Sequence, residues 1–126
     1  MKIALAQIRS CSGDVVANTR LHLRWVEQAA AQKADWVLFP ELSLTGYEPT
    51  LAEKLAMSLH DDRLNVFQEL ADRHHLSIGL GGPIRLEAGV CIGAVLFGPK
   101  QPRRLYAKQY LHADEEPCFV AGQKAS

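Results

Sequence analysis

The chain has 126 residues, 48% of them hydrophobic, with 14 basic and 14 acidic side chains, a length that points to one domain over residues 1–126. Zero net charge, with Arg103-Arg104 only a pair, leaves no electrostatic case for nucleic acid, and no run of about 18 apolar residues suggests a membrane span. Three cysteines without a spacing pattern argue against a disulfide framework and, with no leader before the first strand, make the expected setting cytoplasmic.

In chain order, residues 2–8 read as an apolar strand. Residues 15–33 read as a helix with Asp14 as N-cap and with Leu21, Trp25, Val26, Ala29 and Ala30 on its inner side. Trp36-Val37-Leu38-Phe39 forms the heart of a second strand over 35–40, and Pro40 should end it, because proline cannot donate to a ladder. Glu41 follows directly, at the carboxyl end of a buried strand where α/β proteins build their sites. Thr45-Gly46-Tyr47 supplies a turn, since glycine tolerates backbone angles other residues avoid. A short helix is expected over 51–58, and a second from an Asp61 or Asp62 cap to about His74, with Leu64, Phe67, Leu70 and Ala71 inward. Strands are expected at 76–82, 91–97 and 103–110, the last two joined by a hairpin-type connection over 98–102. The order β-α-β-α-β implies right-handed crossovers and parallel strands, followed by a meander.

Taken singly, Glu41 is a solvated loop acid and Lys108 a surface lysine interrupting an alternating apolar stretch. Gly79-Leu80-Gly81-Gly82 is too short and wrongly placed for a dinucleotide fingerprint, which disfavours a nucleotide-binding α/β domain. The five scattered histidines lack metal-ligand spacing. Neither cofactor nor metal is expected.

Several blocks, in this order and at these separations, carry more: the opening Lys2-Ile3-Ala4-Leu5-Ala6-Gln7, Gly13-Asp14 with Asn18, Phe39-Pro40-Glu41-Leu42-Ser43-Leu44-Thr45-Gly46-Tyr47, and Lys108 to Gly122. Together they resemble the carbon–nitrogen hydrolase (nitrilase) superfamily over nearly the whole chain. The resemblance implies half of a four-layer α-β-β-α sandwich, a mixed sheet with flanking helices. It implies Glu41 as general base, Lys108 as oxyanion partner, and Glu115 as a third site residue with Glu116 the neighbouring alternative. It also places Tyr47 on a loop that borders the substrate, an amide, nitrile or carbamoyl compound.

The family's nucleophile is a cysteine on a later strand-to-helix turn, and nothing in the 126 residues matches that segment. Cys11 lies in a polar stretch and Cys91 in a core strand. Cys118, near Glu115, is the nearest substitute, though no helix start follows it to lower its pKa. The chain is therefore expected to be catalytically incomplete alone, a truncated hydrolase or a binding module using the retained Glu/Lys pocket. The sheet face meant for a second sheet would be uncovered, so a homo-oligomer or a complementing second-half chain is expected.

Overall fold

The computed structural model describes residues 1–123; Lys124, Ala125 and Ser126, which the single-domain reading included, lie outside the described residues. Five strands form one sheet in chain order: β1 (Ile3–Leu5), β2 (Trp36–Leu38), β3 (Ser77–Leu86), β4 (Gly89–Phe97) and β5 (Arg104–Ala107). β1, β2 and β3 are parallel, with Ile3 opposite Trp36 and Trp36 opposite Ser77. β3, β4 and β5 are antiparallel, with Ile78 opposite Phe97 and Ala94 opposite Tyr106. This is the expected switch from crossovers to a meander. α1 (Val15–Ala31) makes the first crossover, and α2 (Ala52–Leu55) and α3 (Asn65–His74) lie in the second.

Local sequence sets the boundaries. Asp14 caps α1 by accepting from Ala17 N–H, as an N-cap carboxylate should. Asp61 caps a single 3-10 turn before α3, and α3 ends at His75 in a left-handed conformation. β1, β2 and β5 are shorter than the sequence suggests, and β4 begins two residues earlier, at Gly89. β3 is longer. It runs through Pro83, whose carbonyl accepts from Met57 N–H at 3.0 Å, so an edge segment covers the rim that proline leaves without a donor.

One sheet face is packed and the other is bare. Val37, Ile78, Leu80, Val95 and Phe97 meet Val26, Ala29, Phe67, Leu70 and Ala71 in the main core, so α3 buries the side expected. α1 does not. Its buried stripe is Asn18, His22, Val26 and Ala29, whereas Leu21 lies outside the core and Trp25 is only partly buried. The apolar count pointed one step around the helix from the true face, because two buried positions carry polar side chains. On the opposite sheet face, Ile3, Leu5 and Tyr106 are exposed and Leu38, Ala94 and Leu96 half-buried. Period-2 alternation puts these side chains on one surface. Among the described residues no helix is long and apolar enough to cross a membrane.

Candidate active site

β5 is antiparallel to β4, which is antiparallel to β3, so β5 points the same way as β2. The carboxyl ends of β2 and β5 therefore share one rim of the sheet, three strand spacings or about 14 Å apart. Glu41 follows β2 and Lys108 follows β5, and both reach inward along that rim. Lys108 Nζ lies 3.2 Å from a Glu41 carboxylate oxygen and 3.1 Å from Glu115 Oε1.

The Glu41 loop crosses this distance by lying directly on β3. Phe39 N–H donates to Gly79 O (2.8 Å) and Leu44 N–H to Gly81 O (2.9 Å). Between them Leu42 adopts φ +55°, a conformation uncommon for a non-glycine residue. Its side chain is anchored in a second apolar cluster with Ala52, Val90, Ile92 and Phe119. A Cβ at Gly81 would sit 2.4 Å from Leu42 N and 2.6 Å from Pro40 O; only glycine lets the loop pass this close.

Glu115 is brought in from the other side by a compact turn. Its N–H donates to His112 O, and Phe119 N–H returns to Glu115 O, while buried Phe119 pins the turn in the second cluster. Glu115 is 1% exposed. Its carboxylate accepts from Lys108 Nζ, from His112 N–H at 3.0 Å and from Tyr47 O–H at 3.2 Å. Glu116 is exposed, so of the two alternatives Glu115 is the one that faces the lysine. Tyr47 also reaches Asp114 at 3.2 Å, a neighbour the sequence reading did not single out.

The electrostatics follow from this arrangement. Desolvation alone would raise the Glu115 carboxyl's pKa, but the His112 N–H, Lys108 and Tyr47 outweigh it and hold it below the ordinary carboxylate range. Desolvation works to lower the Lys108 pKa, yet Glu115 and Glu41 together shift it upward. The Tyr47 phenol is pushed up to about 12 by desolvation and by the two carboxylates beside it. The result is an ammonium, its pKa raised, tied to a buried carboxylate. A second carboxylate, Glu41, has a side chain 47% exposed. A cavity of about 340 Å³ opens in front of it, lined by Leu38, Phe39, Glu41, Leu96, Tyr106 and Lys108 among others.

No thiol joins this group. Cys11 is exposed, Cys91 is buried, with its thiol pushed up by desolvation, and Cys118 is half-buried. Cys118 packs against the second apolar cluster, and among the described residues no cysteine sulfur hydrogen-bonds Glu41, Lys108 or Glu115. No group of three or more His, Cys, Asp and Glu side chains among them is arranged to hold a metal ion.

Beneath the site, His22 is fully buried and neutral, its pKa lowered to about 4 by desolvation against a weaker opposing hydrogen bond to Asn18 O. The unfolded chain binds this proton near pH 6.5 and the folded chain resists it. Stability is therefore complete above about pH 6.5 and falls as pH drops toward 4, by at most about 3 kcal/mol. Glu115, with its lowered pKa, adds a loss in the same direction below the ordinary carboxylate range. Urea midpoints at pH 7 and pH 5 check this. A His22→Gln chain should lose less than wild type between the two, and equal losses would contradict the assignment.

Residues 2–123 match the carbon–nitrogen hydrolase family model. A CN-hydrolase superfamily protein from Xanthomonas campestris with an arsenic adduct in its active site superposes with a TM-score of 0.86 at 23% identity, over 97% of this chain and 46% of that one. A cysteine-to-alanine mutant of the amidase from Nesterenkonia sp. AN1, in complex with butyramide, gives 0.83 at 26% identity over 98% of this chain and 49% of that one. A variant of the same amidase carries the acetamide moiety of fluoroacetamide on its active-site cysteine. The glutamine-dependent NAD(+) synthetase of Acinetobacter baylyi is 32% identical over 88 residues, 70% of this chain and 16% of that protein. The chain thus spans about half the length of these two structures and a smaller part of the curated relative.

Proposed function

The chain belongs to the carbon–nitrogen hydrolase family, and on that premise we propose that it supplies the acid–base half of a site that hydrolyses the carbon–nitrogen bond of small amides. The observation that carries this reading is Lys108 Nζ held between Glu41 and Glu115 at 3.2 and 3.1 Å. Acyl transfer through a thioester needs a thiolate, a group that moves its proton and positive charge near the developing oxyanion. Glu41, half-exposed at the cavity, takes the thiol proton and later returns it to the leaving amine. The Lys108 ammonium faces the carbonyl oxygen as negative charge builds on it, and Glu115 fixes the ammonium without competing for the substrate. Tyr47 braces Glu115, and its loop borders the bound substrate.

The thiol itself comes from a polypeptide segment beyond those described, and without it the chain is inert. Taking the reacting atom from a unit that works together removes nearly all of its benefit. The same segment, or a second copy of the chain, covers the bare face bearing Leu5, Leu38, Leu96 and Tyr106. Three unpaired thiols suit a reducing, cytoplasmic compartment.

Ammonia release from butyramide tests the proposal. The chain alone should release none. Combined with a cysteine-bearing second half of an amidase relative it should gain turnover, and Glu41→Gln should then lower kcat/KM about 10³-fold. Sedimentation of the same samples should find little free 13.9 kDa chain. A folded, associated mixture without turnover, or one indifferent to Glu41→Gln, would refute the reading.

A further inference from the structure

The Glu41 loop rests on a line of buried polar groups that the chemistry above does not use. Asn18 and His22 lie one turn apart on α1, and both are fully buried. The Asn18 carboxamide is completely engaged. Its Nδ2 donates to the carbonyls of Cys11 (2.8 Å) and Leu44 (2.9 Å), and its Oδ1 accepts from Cys11 N–H at 2.7 Å. This ties α1 to the loop after β1 and to the Glu41 loop. One turn on, His22 Nδ1 is 2.6 Å from Asn18 O and Nε2 is 2.8 Å from Ser43 Oγ.

The protons in this line can be assigned by elimination. A carbonyl oxygen only accepts, so Nδ1 carries the hydrogen and Nε2 is the bare acceptor. Ser43 must then turn its hydroxyl hydrogen to the ring. Its oxygen is left to accept from Gly81 N–H at 3.1 Å. Donors therefore run one way, from β3 through Ser43 and His22 to α1. The same imidazole stacks on Phe39 with centroids 4.2 Å apart. Phe39 and Ser43 flank Pro40, Glu41 and Leu42, so one ring supports both ends of the segment that carries the carboxylate.

We propose that His22 is a positioning residue for Glu41: it accepts from Ser43 and stacks on Phe39, clamps the Pro40–Leu42 segment onto Gly81, and so sets the reach of the Glu41 carboxylate to Lys108 Nζ. The inference deepens the proposed function and rests on the Glu41–Lys108 pair being the site. A leucine of similar bulk could fill the space, but it would leave the buried Ser43 hydroxyl only the Gly81 carbonyl, at a long 3.5 Å, as acceptor, a much weaker bond than the 2.8 Å contact to the ring.

The test reads the pair directly, without turnover. The titration of the Lys108 ammonium is followed by ¹⁵N NMR in the wild-type chain and in Glu41→Gln, Ser43→Ala, His22→Leu and His22→Gln. Glu41→Gln should lower the Lys108 midpoint. Ser43→Ala and His22→Leu should each reproduce at least half of that fall, and neither should add to it in a Glu41→Gln background. His22→Gln, whose Oε1 can stand in for Nε2 as acceptor, should restore at least half of the loss. Suppose Ser43→Ala and His22→Leu leave Lys108 unmoved while Glu41→Gln lowers it. His22 is then merely structural, and the proposal fails with the Glu41–Lys108 pair intact. A fall that persists in the Glu41→Gln background, or a His22→Gln chain no better than His22→Leu, overturns it as well. If Glu41→Gln itself has no effect, the pair is absent and both this inference and the proposed site fall together. Should His22→Leu not fold, Ser43→Ala and His22→Gln carry the test.

Discussion

Replacing Lys108 by Met is expected to cost the chain about 3 kcal/mol of stability, the low end of what stranding a buried charge brings. The carboxylate left behind, Glu115, is 1% exposed and retains only the His112 N–H and the Tyr47 hydroxyl as donors. It must then either stay charged in a dry site or take up a proton. Removing the other partner has a different consequence. Glu41 is half-exposed, and an ion pair of that kind contributes about 0–1 kcal/mol, so Glu41→Gln should leave stability nearly unchanged. The double variant Lys108→Met/Glu115→Gln should recover part of the loss, because it deletes the stranded charge as well as its partner. Urea denaturation of the four chains measures this. Equal, small effects of Lys108→Met and Glu41→Gln would mean that Glu115 is not held as described.

The second large effect is expected at Gly81. An added Cβ meets Leu42 N at 2.4 Å, Pro40 O at 2.6 Å and the Glu41 carbonyl carbon at 3.0 Å. All three are backbone atoms, which cannot move aside by changing rotamer, and Leu42 is already held at φ +55° by its buried side chain. The loop must lift from β3. Overpacking of this kind costs roughly 1–3 kcal/mol, and a displacement of about 1 Å at the base should lower turnover of the complemented enzyme about 10²-fold. Gly82→Ala is the control on the same strand. There the new Cβ meets only Leu44 side-chain carbons at 3.7 and 3.8 Å, an ordinary contact, and the effect should be near zero. If Gly81→Ala and Gly82→Ala behave alike, the loop does not lie on β3 as described.

The architecture was largely legible because its signals are local. β2 lies inside the expected span, though it ends at Leu38, two residues short of Pro40; Asp14 caps α1, and the inward residues of α3 follow a plain apolar period. Glu41 drew notice by following a strand end, though singly it reads as a solvated loop acid. Lys108 did not, since a lysine in an alternating stretch looks like any surface residue. Its meaning comes from strand register: β5 points the same way as β2, which brings residues 67 apart to one rim. Only the resemblance, carried by whole blocks of sequence, linked the two beforehand. Asn18 and His22 were left off the inward stripe of α1 for a physical reason. A hydrophobic pattern counts apolar residues, and a buried polar residue whose partners lie 7 to 26 residues away leaves no mark in it. Asp114 was passed over because its partner, Tyr47, sits on a distant loop.

Zero-length carbodiimide coupling, mapped by mass spectrometry, tests the convergence of the charges most directly, because it joins an amine to a carboxylate only where the two already touch. Lys108 should be found linked to Glu41, the accessible member of the pair, and to Glu115 in smaller yield. A folded chain in which Lys108 couples to neither, or couples instead to carboxylates elsewhere on the surface, would contradict the account.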